Sequence, residues 1–276
     1  MIDHIMLMSI QAVSRVASTA ILALALASCA AVSSAQDNST ATQALFDTWD
    51  VVRVAVDSRD QPHWQYRPDD PQLLGRELIV AEAALSFNDG SLDCVKPKWN
   101  MRTTTWGKLL GESFKRSPSA NIPADPAPAD FGLSVQKSES VNSYHVQCVV
   151  TAGQRTPAPW NEVWFAFDGP RMTMRLNTSA LLVLEKRSPK AAPRPSFSCA
   201  KAKTVVEKTL CSNVALAALD RSVATAWRDA LNRSPDQAEK LREEQNSWLK
   251  SRDDCGQKIK CLEENILRRI GELQQE

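Results

Sequence analysis

Between residues 44 and 187, short apolar runs alternate with turn-forming residues. These runs are rich in β-branched and aromatic residues, which is typical of strands; they are TWDVVRVAV, RELIVAEAALSF, YHVQCVVTA, NEVWFAF, RMTMRL and LLVLEKR. A tight turn at Asp168 and Gly169, inside FDGPRMTMRL, suits a hairpin. Because the region shows so little helical periodicity, it is predicted to form an antiparallel β-barrel or sandwich.

From residue 197 to residue 276 the periodicity becomes helical. Apolar residues recur every three or four positions in four segments, which predicts a small bundle of four helices. The predicted stripes are Ala202, Val206 and Leu210; Leu216, Leu219, Val223, Trp227 and Leu231; Leu241, Gln245, Trp248 and Arg252; and Ile259, Leu262, Ile266, Ile270 and Leu273. Ser234, Pro235 and Gln237 predict a capping box before the third helix. The chain as a whole is predicted to be an α+β multidomain protein.

Residues 188–196, SPKAAPRPS, separate the two regions. This stretch has three prolines and no bulky apolar residue, so it is expected to be extended and exposed. We interpret it as a linker between a β-rich domain, residues 44–187, and a helical domain, residues 197–276. A second proline-rich stretch, residues 117–130, is predicted to be a long loop within the first domain.

The N-terminal residues 1–35 have the pattern of a secretory signal peptide. Their apolar run, residues 16–27, is shorter than the roughly 20 residues of a membrane span. Two cleavage sites fit the pattern. Residues 26–29 resemble a bacterial lipobox, which would make Cys29 the lipidated first residue, whereas residues 33–35 resemble an ordinary small-x-small site. We expect a mature protein in the periplasm or outer envelope, which contacts the membrane only if Cys29 is lipidated.

Composition and motifs argue against several classes of function. The formal charge of +1 and the 24% of charged residues describe an ordinary surface, whereas a nucleic-acid-binding protein would carry a basic stripe. The sequence has no HExxH, GxSxG or phosphate-binding glycine loop. We therefore predict no catalysis, no cofactor and no metal. His145 is interpreted as a residue on a strand face, and Asp69 and Asp70 as acceptors in a turn.

Export favours disulfides over free thiols. The chain has seven cysteines, and six remain for pairing once Cys29 is removed or lipidated. Cys94 and Cys148 are the two cysteines of the β-rich region and are expected to bond to each other.

The helical region has four cysteines, which we expect to be disulfide-bonded. Five residues separate Cys255 from Cys261, a spacing that argues against a redox pair or a zinc knuckle. If residues 202–210 are helical, Cys199 and Cys211 lie farther apart than the roughly 7 Å limit for a disulfide. Each would then bond to a later cysteine, unless the helix begins late and Cys199 folds back.

The motifs of the helical region resemble a known family. The segments FSCAKAKTVVEKTLC, LAALD, EEQNSWLKSRDDC and CLEENILRRIGEL are similar to LprI-type lysozyme inhibitors, which are small secreted four-cysteine helical domains of bacteria. The matching positions are Cys199, Ala202, Glu207, Cys211, Leu219, Asp220, Gln245, Trp248, Arg252, Cys255, Cys261, Leu262 and Arg269. The resemblance implies an inhibitor that binds lysozyme or another cell-wall hydrolase. Asp220, Gln245 and Arg252 are expected to form a buried polar pair or triad.

The β-rich region suggests an alternative function. Trp49 near its start and Arg187 at its end resemble the small-barrel lipocalins, in which a Trp on the first strand packs under an Arg from the last. Thr48 departs from that pattern, because a Gly usually precedes the Trp. This resemblance implies a two-domain periplasmic carrier that binds a small apolar ligand in the N-terminal β-barrel.

Overall fold

The computed structural model describes residues 42–60, 65–87, 93–115, 124–148, 162–176 and 180–275. The predicted signal peptide and Cys29 lie outside the described residues. Residues Phe46–Glu276 form one compact unit. This unit contains both the β-rich region and the helical region.

Nine antiparallel strands form a single sheet in the order β4-β3-β2-β1-β9-β8-β7-β6-β5. Their bounds are β1 Asp47–Val56, β2 Glu77–Val80, β3 Ala84–Phe87, β4 Asp93–Val95, β5 Lys98–Thr105, β6 Ser140–Gln147, β7 Trp164–Asp168, β8 Arg171–Arg175 and β9 Ala180–Lys186. The end strands β4 and β5 are separated by two residues only, Lys96 and Pro97. The sheet is therefore a curled half-barrel, which confirms the antiparallel barrel-like alternative.

Both faces of the sheet are covered, so the central strand β9 is buried from Ala180 to Leu184. Helix α1, Trp106–Ser113, and a short 3-10 helix, Pro128–Phe131, cover one face. On the opposite face, aromatic rings pack together. Trp49 and Tyr144 lie 6.0 and 6.1 Å from Phe167, and Trp99 lies 5.6 Å from Phe165, measured between ring centroids.

The sequence prediction missed three elements of this region, strands β4 and β5 and helix α1. The helix begins at Trp106, after Thr105, whose Oγ1 accepts a hydrogen bond from the Lys108 amide at 3.3 Å. Trp106, Leu109 and Leu110 are buried on its inner side. Their spacing of three and four residues was a helical signal, but the surrounding strand pattern obscured it.

Four helices form the C-terminal region, as predicted. They are α2 Val205–Leu210, α3 Val214–Arg233, α4 Ala238–Asp253 and α5 Ile259–Gln275. Their buried apolar residues form one cluster, which includes Leu216, Leu219, Trp248, Leu262, Ile266 and Ile270. The capping box predicted at Ser234 is wrong. That side chain makes no capping hydrogen bond, and a 3-10 turn, Pro235–Gln237, precedes α4.

The structure contains three disulfides. Cys94 bonds to Cys148, which links β4 to the residue after β6. Cys199 bonds to Cys211 and Cys255 bonds to Cys261, with Cα atoms 5.7 and 5.6 Å apart.

The expectation that Cys199 and Cys211 bond to later cysteines is wrong because the first helix begins late. The capping box lies at Thr204, not at Ser234. Oγ1 of Thr204 accepts from the Glu207 amide at 3.1 Å, and Oε2 of Glu207 accepts from the Thr204 amide at 2.9 Å. Helix α2 therefore starts at Val205, and the residues before it fold back towards Cys211.

A loop of the β-rich region, residues 67–76, packs against the helices. Oγ of Ser222 on α3 donates to the Leu74 carbonyl at 2.7 Å. Arg67 forms an ion pair of 2.7 Å with Asp229 on α3. Gly75 has a φ of +77°, and a Cβ atom there would lie 3.1 Å from the Ala218 carbonyl oxygen and from Ser222 Oγ. The loop approaches α3 this closely because residue 75 has no side chain.

Candidate binding surface

Four of the predicted motif residues lie along the contact between helices α4 and α5. Gln245 Oε1 accepts from Arg269 Nε at 3.1 Å. Trp248 Nε1 donates to the Asn265 carbonyl at 3.4 Å. The guanidinium carbon of Arg252 lies 5.5 Å from the centroid of the Trp248 ring, within the range of a cation–π contact. Trp248 and Arg252 are only 6% and 7% exposed, so this part of the motif supports the bundle and is not displayed to a partner.

Two further motif residues, Glu207 and Asp220, fix the backbone. The Glu207 carboxylate accepts from the amides of Lys203 and Thr204 at 2.6 and 2.9 Å, and these bonds hold the pKa of Glu207 below its usual value. Asp220 is buried on α3, and its Oδ2 accepts from the Ser196 amide at 2.7 Å. Asp220 thereby holds the end of the 188–196 segment against the bundle.

The predicted polar triad is not formed. Asp220 binds Ser196, Gln245 binds Arg269, and Arg252 donates to Asp253 Oδ1 at 2.7 and 3.1 Å. The sequence indicated that these polar residues belong to the motif, but periodicity carries no information about which polar atoms meet after folding.

The two disulfide loops of the bundle lie side by side and enclose a shallow groove of about 520 Å³. We call this surface the disulfide edge. The residues that line it are Lys208, Thr209, Ser212, Asn213, Gln257 and Ile259. Ile259 at the start of α5 is 44% exposed, and Val205 at the start of α2 is 53% exposed. Sequence analysis assigned Ile259 to the apolar stripe of the last helix and did not single out the other five residues, because none of them belongs to the motif.

Lys208 is the charged residue among those that line the disulfide edge, and the segments beside this surface are basic although the whole chain is nearly neutral. The segments enclosed by the two disulfides contain five lysines and one acidic residue, Glu207; the lysines are Lys201, Lys203, Lys208, Lys258 and Lys260. The carboxylate of Glu207 is already engaged by two backbone amides. The surface therefore offers ammonium donors on loops that disulfides hold in place.

The lipocalin-like arrangement of Trp49 and Arg187 does not occur. The Arg187 side chain binds Asp50 and Glu77, whereas Trp49 is buried and contacts Phe167. Burial lowers the pKa of Arg187, but its bonds to Asp50 and the charge of Glu77 outweigh burial and raise the pKa overall. Arg187 thus neutralises two carboxylates at the end of β9 and does not cover the tryptophan.

His145 lies on β6 beside Ser143, and their Nε2 and Oγ atoms are 3.1 Å apart. This distance alone would fit a nucleophile and its base, but the serine is buried and its proton is already used in another hydrogen bond. Ser143 is 1% exposed, and its hydroxyl donates to the Arg102 carbonyl at 3.2 Å, so the hydroxyl must accept from Nε2. Burial lowers the pKa of His145.

Asp70 has the predicted turn role, because its carboxylate accepts hydrogen bonds from the amides of Arg67 and Gln72 at 3.2 and 2.9 Å.

The part of the chain that the structure describes also bears on metal binding and on membrane insertion. No cluster of three or more His, Cys, Asp or Glu side chains could hold a metal ion there. Within the same residues, no helix combines the length and the apolar character that a membrane crossing requires.

The fold and the site define a disulfide-linked helical domain that follows a curled antiparallel sheet. Residues 199–273 match the family model described as lysozyme inhibitor LprI. The helical region is thus an LprI-type domain, as its motifs indicated; the match does not extend to the β-rich region. Neither a curated protein nor a solved structure matches the chain.

Proposed function

We propose that this protein inhibits lysozyme by binding and occlusion, without catalysing a reaction. The observation that carries the proposal is the match of residues 199–273 to the lysozyme inhibitor family. The matched motif residues Trp248, Arg252 and Arg269 are buried. They can therefore support a binding surface, but they cannot themselves contact a partner. The disulfide edge is the surface that they support.

The chemistry of the disulfide edge suits the cleft of a glycoside hydrolase. Such a cleft contains two carboxyl groups that flank the scissile bond. The loop between Cys255 and Cys261 presents Lys258 and Lys260 on either side of the exposed Ile259. Ammonium groups can pair with the carboxylates while the apolar side chain contacts the sugar-binding walls. A loop closed by a disulfide loses less conformational entropy on binding than an open one.

The test is the lytic activity of purified lysozymes on cell walls in the presence of an equimolar amount of the mature protein. We expect lysis by at least one lysozyme type to slow. Lys258→Glu/Lys260→Glu should weaken inhibition by about tenfold or more, since each buried ion pair lost costs more than about 1 kcal/mol.

The matched control is Lys240→Glu/Lys250→Glu, which changes the net charge equally on the exposed side of α4. This control is expected to inhibit as the wild type does. Undiminished lysis with every lysozyme type tested would exclude the inhibitor function. Equal losses in the two variants would exclude the disulfide edge as the inhibitory surface.

We also propose that the protein is exported and anchored through Cys29, which lies outside the described residues. The support is the signal-peptide and lipobox pattern of residues 1–35. Replacement of Cys29 by Ser should release the protein from the membrane fraction on cell fractionation. Membrane association that survives the substitution would exclude lipidation at this residue.

No observation favours the alternative of a carrier with an apolar ligand in the barrel. The described rings of Trp49, Tyr144 and Phe167 pack against one another on the face that would hold such a ligand. Solvent extraction and mass spectrometry of protein from its native host would reveal a stoichiometric apolar ligand if the carrier hypothesis were correct.

A further inference from the structure

A second cleft, lined by a different set of residues from the disulfide edge, lies where the sheet, the 188–196 segment and helix α3 meet. Its volume is about 800 Å³, which is within the range of about 300–1,000 Å³ for small-molecule sites. Val51 on β1, Leu74 and Ala218 on α3 contribute apolar surface. The cleft is therefore large enough for a small molecule and is partly apolar.

Three arginines line this cleft: Arg194, Arg221 and Arg228. Among the described residues, none of the three has an ion-pair partner. Nη1 of Arg221 donates to the carbonyls of Arg194 and Ala217, and Nη2 of Arg228 donates to Thr225 Oγ1 at 3.1 Å. Each of these is a bond to a neutral group. All three side chains are exposed, and within the described part of the chain no carboxylate pairs with them.

The acidic residues near the cleft do not offset this charge. Asp50 lines the cleft, but both of its carboxylate oxygens accept from Arg187. Asp229 is paired with Arg67 at 2.7 Å. The Asp220 carboxylate accepts a hydrogen bond from the Ser196 amide. The arginines thus face a cleft in which the available negative charge is already engaged.

The motif holds the wall of this cleft in place. Arg194, Pro195 and Ser196 form one side, and two bonds from α3 fix them: Asp220 accepts from the Ser196 amide, and Arg221 donates to the Arg194 carbonyl. The backbone of the 188–196 segment is therefore positioned before any ligand arrives, which lowers the entropic cost of binding.

We propose that this cleft binds an anionic ligand through its phosphate or carboxylate groups. Guanidinium groups suit these oxyanions because their planar donors form bidentate hydrogen bonds. The apolar surface of Val51, Leu74 and Ala218 accommodates a hydrocarbon part of the same ligand. This site is separate from the disulfide edge and does not depend on the inhibitor function.

The test is isothermal titration calorimetry of the mature protein with pyrophosphate and with citrate, together with co-sedimentation with phosphatidylglycerol and phosphatidylcholine vesicles. We expect one-to-one binding of a free anion that weakens as ionic strength rises. Arg194→Gln/Arg228→Gln should weaken binding about a hundredfold or more, since each of the two charge-assisted hydrogen bonds lost is worth about tenfold or more. Arg221 is retained in this variant because it holds the cleft wall.

Arg242→Gln/Arg268→Gln is the matched control, since it removes the same net charge from exposed positions on α4 and α5. We expect its affinity to stay within about twofold of the wild type. Selective binding to phosphatidylglycerol that the cleft variant loses would identify the anion as a lipid headgroup. The proposal is overturned if neither free anions nor vesicles bind to the protein. It is also overturned if Arg194→Gln/Arg228→Gln and the control variant lose affinity equally. The third contrary outcome is that only vesicles bind and that Arg194→Gln/Arg228→Gln still binds them.

Discussion

At the scale of single residues, Glu207 shows how a family motif can act through the backbone. Its carboxylate closes the capping box with Thr204 and also accepts from the Lys203 amide. The T-x-x-E pattern of residues 204–207 is present in the sequence and would have placed the helix start at Val205. That start would in turn have allowed the bond between Cys199 and Cys211.

Glu207→Gln is predicted to destabilise the protein by less than about 1 kcal/mol at pH 7, because the amide keeps an acceptor but loses the charge at a helix N-terminus. The pKa of Glu207 is lowered in the folded state, first by its backbone bond to Thr204. The stabilisation by the carboxylate is therefore complete above the usual value of 4.5 and is lost as the pH falls through the folded-state pKa.

Urea denaturation at about pH 7 and at about pH 2.5 measures this effect. Wild type and Glu207→Gln should differ at the higher pH and converge at the lower one. Glu243→Gln on α4 is the matched control, since that exposed side chain makes no hydrogen bond within the described part of the chain. A deficit of equal size at both pH values would show that the charge of Glu207 does not stabilise the helix.

At the scale of elements, each disulfide of the helical region closes a short loop. The bonded cysteines are 12 residues apart in Cys199–Cys211 and 6 apart in Cys255–Cys261. The chain-entropy relation gives about 3 kcal/mol for the longer loop and about 2.4 kcal/mol for the shorter one. Paired Cys→Ser replacements are predicted to destabilise the protein in that order, as measured by guanidinium denaturation.

Thiol titration of the denatured mature protein should find all six remaining cysteines oxidised, and non-reducing peptide mapping should recover the two local bonds. A peptide that links Cys199 or Cys211 to Cys255 or Cys261 would contradict this pairing. The titration also tests Cys94 and Cys148, because one broken disulfide would release two thiols.

The contact between loop 67–76 and helix α3 depends on Gly75. Alanine there would adopt a left-handed conformation, at a cost of about 1–2 kcal/mol, and its Cβ would crowd Ala218 and Ser222 at 3.1 Å. Gly169→Ala is the matched control, because Gly169 also has a positive φ but has no atom within 4 Å of the added Cβ. We predict that Gly75→Ala lowers the free energy of unfolding by about 1 kcal/mol more than Gly169→Ala, as measured by urea denaturation. Equal losses would mean that this contact does not stabilise the fold.

At the scale of the whole molecule, the sequence predicted which segments form strands and helices better than it predicted which of them pack together. The helical stripes were readable because Leu216, Leu219, Ile266 and Ile270 recur with the period of a helix and all face one core. The single curled sheet was not distinguishable from a sandwich, because strand patterns define faces but not neighbours. The cleft lined by Arg194, Arg221 and Arg228, the arginine cleft, was not predictable either. Its walls come from β1, the 188–196 segment and α3, and β1 is far from the other two in the chain.

If residues 188–196 are a true boundary, the helical region should fold without the β-rich region. The apolar core of the bundle consists only of residues from Val206 to Leu273, with Phe197 and other partly buried residues of the same region packed on it. An isolated fragment loses the close packing of Gly75 on Ala218 and the polar bonds of loop 67–76. The ion pair of Arg67 and Asp229 is about one-third exposed on each side, so it contributes little. We therefore predict that residues 197–276, expressed in an oxidising compartment, fold cooperatively and that reductant lowers or abolishes the transition.

Circular dichroism of the fragment during heating, with and without reductant, measures this directly, and the intact protein serves as the control. An oxidised fragment without a cooperative helical melt would show that the β-rich region and the bundle fold as one unit, and the boundary at 188–196 would be wrong. The same fragment separates the proposed surfaces. Since it retains the disulfide edge but lacks Val51 and Leu74 of the arginine cleft, it should slow lysozyme as the intact protein does and bind pyrophosphate more weakly. If the fragment folds but inhibits lysozyme less than the intact chain does, the inhibitory surface must include part of the β-rich region.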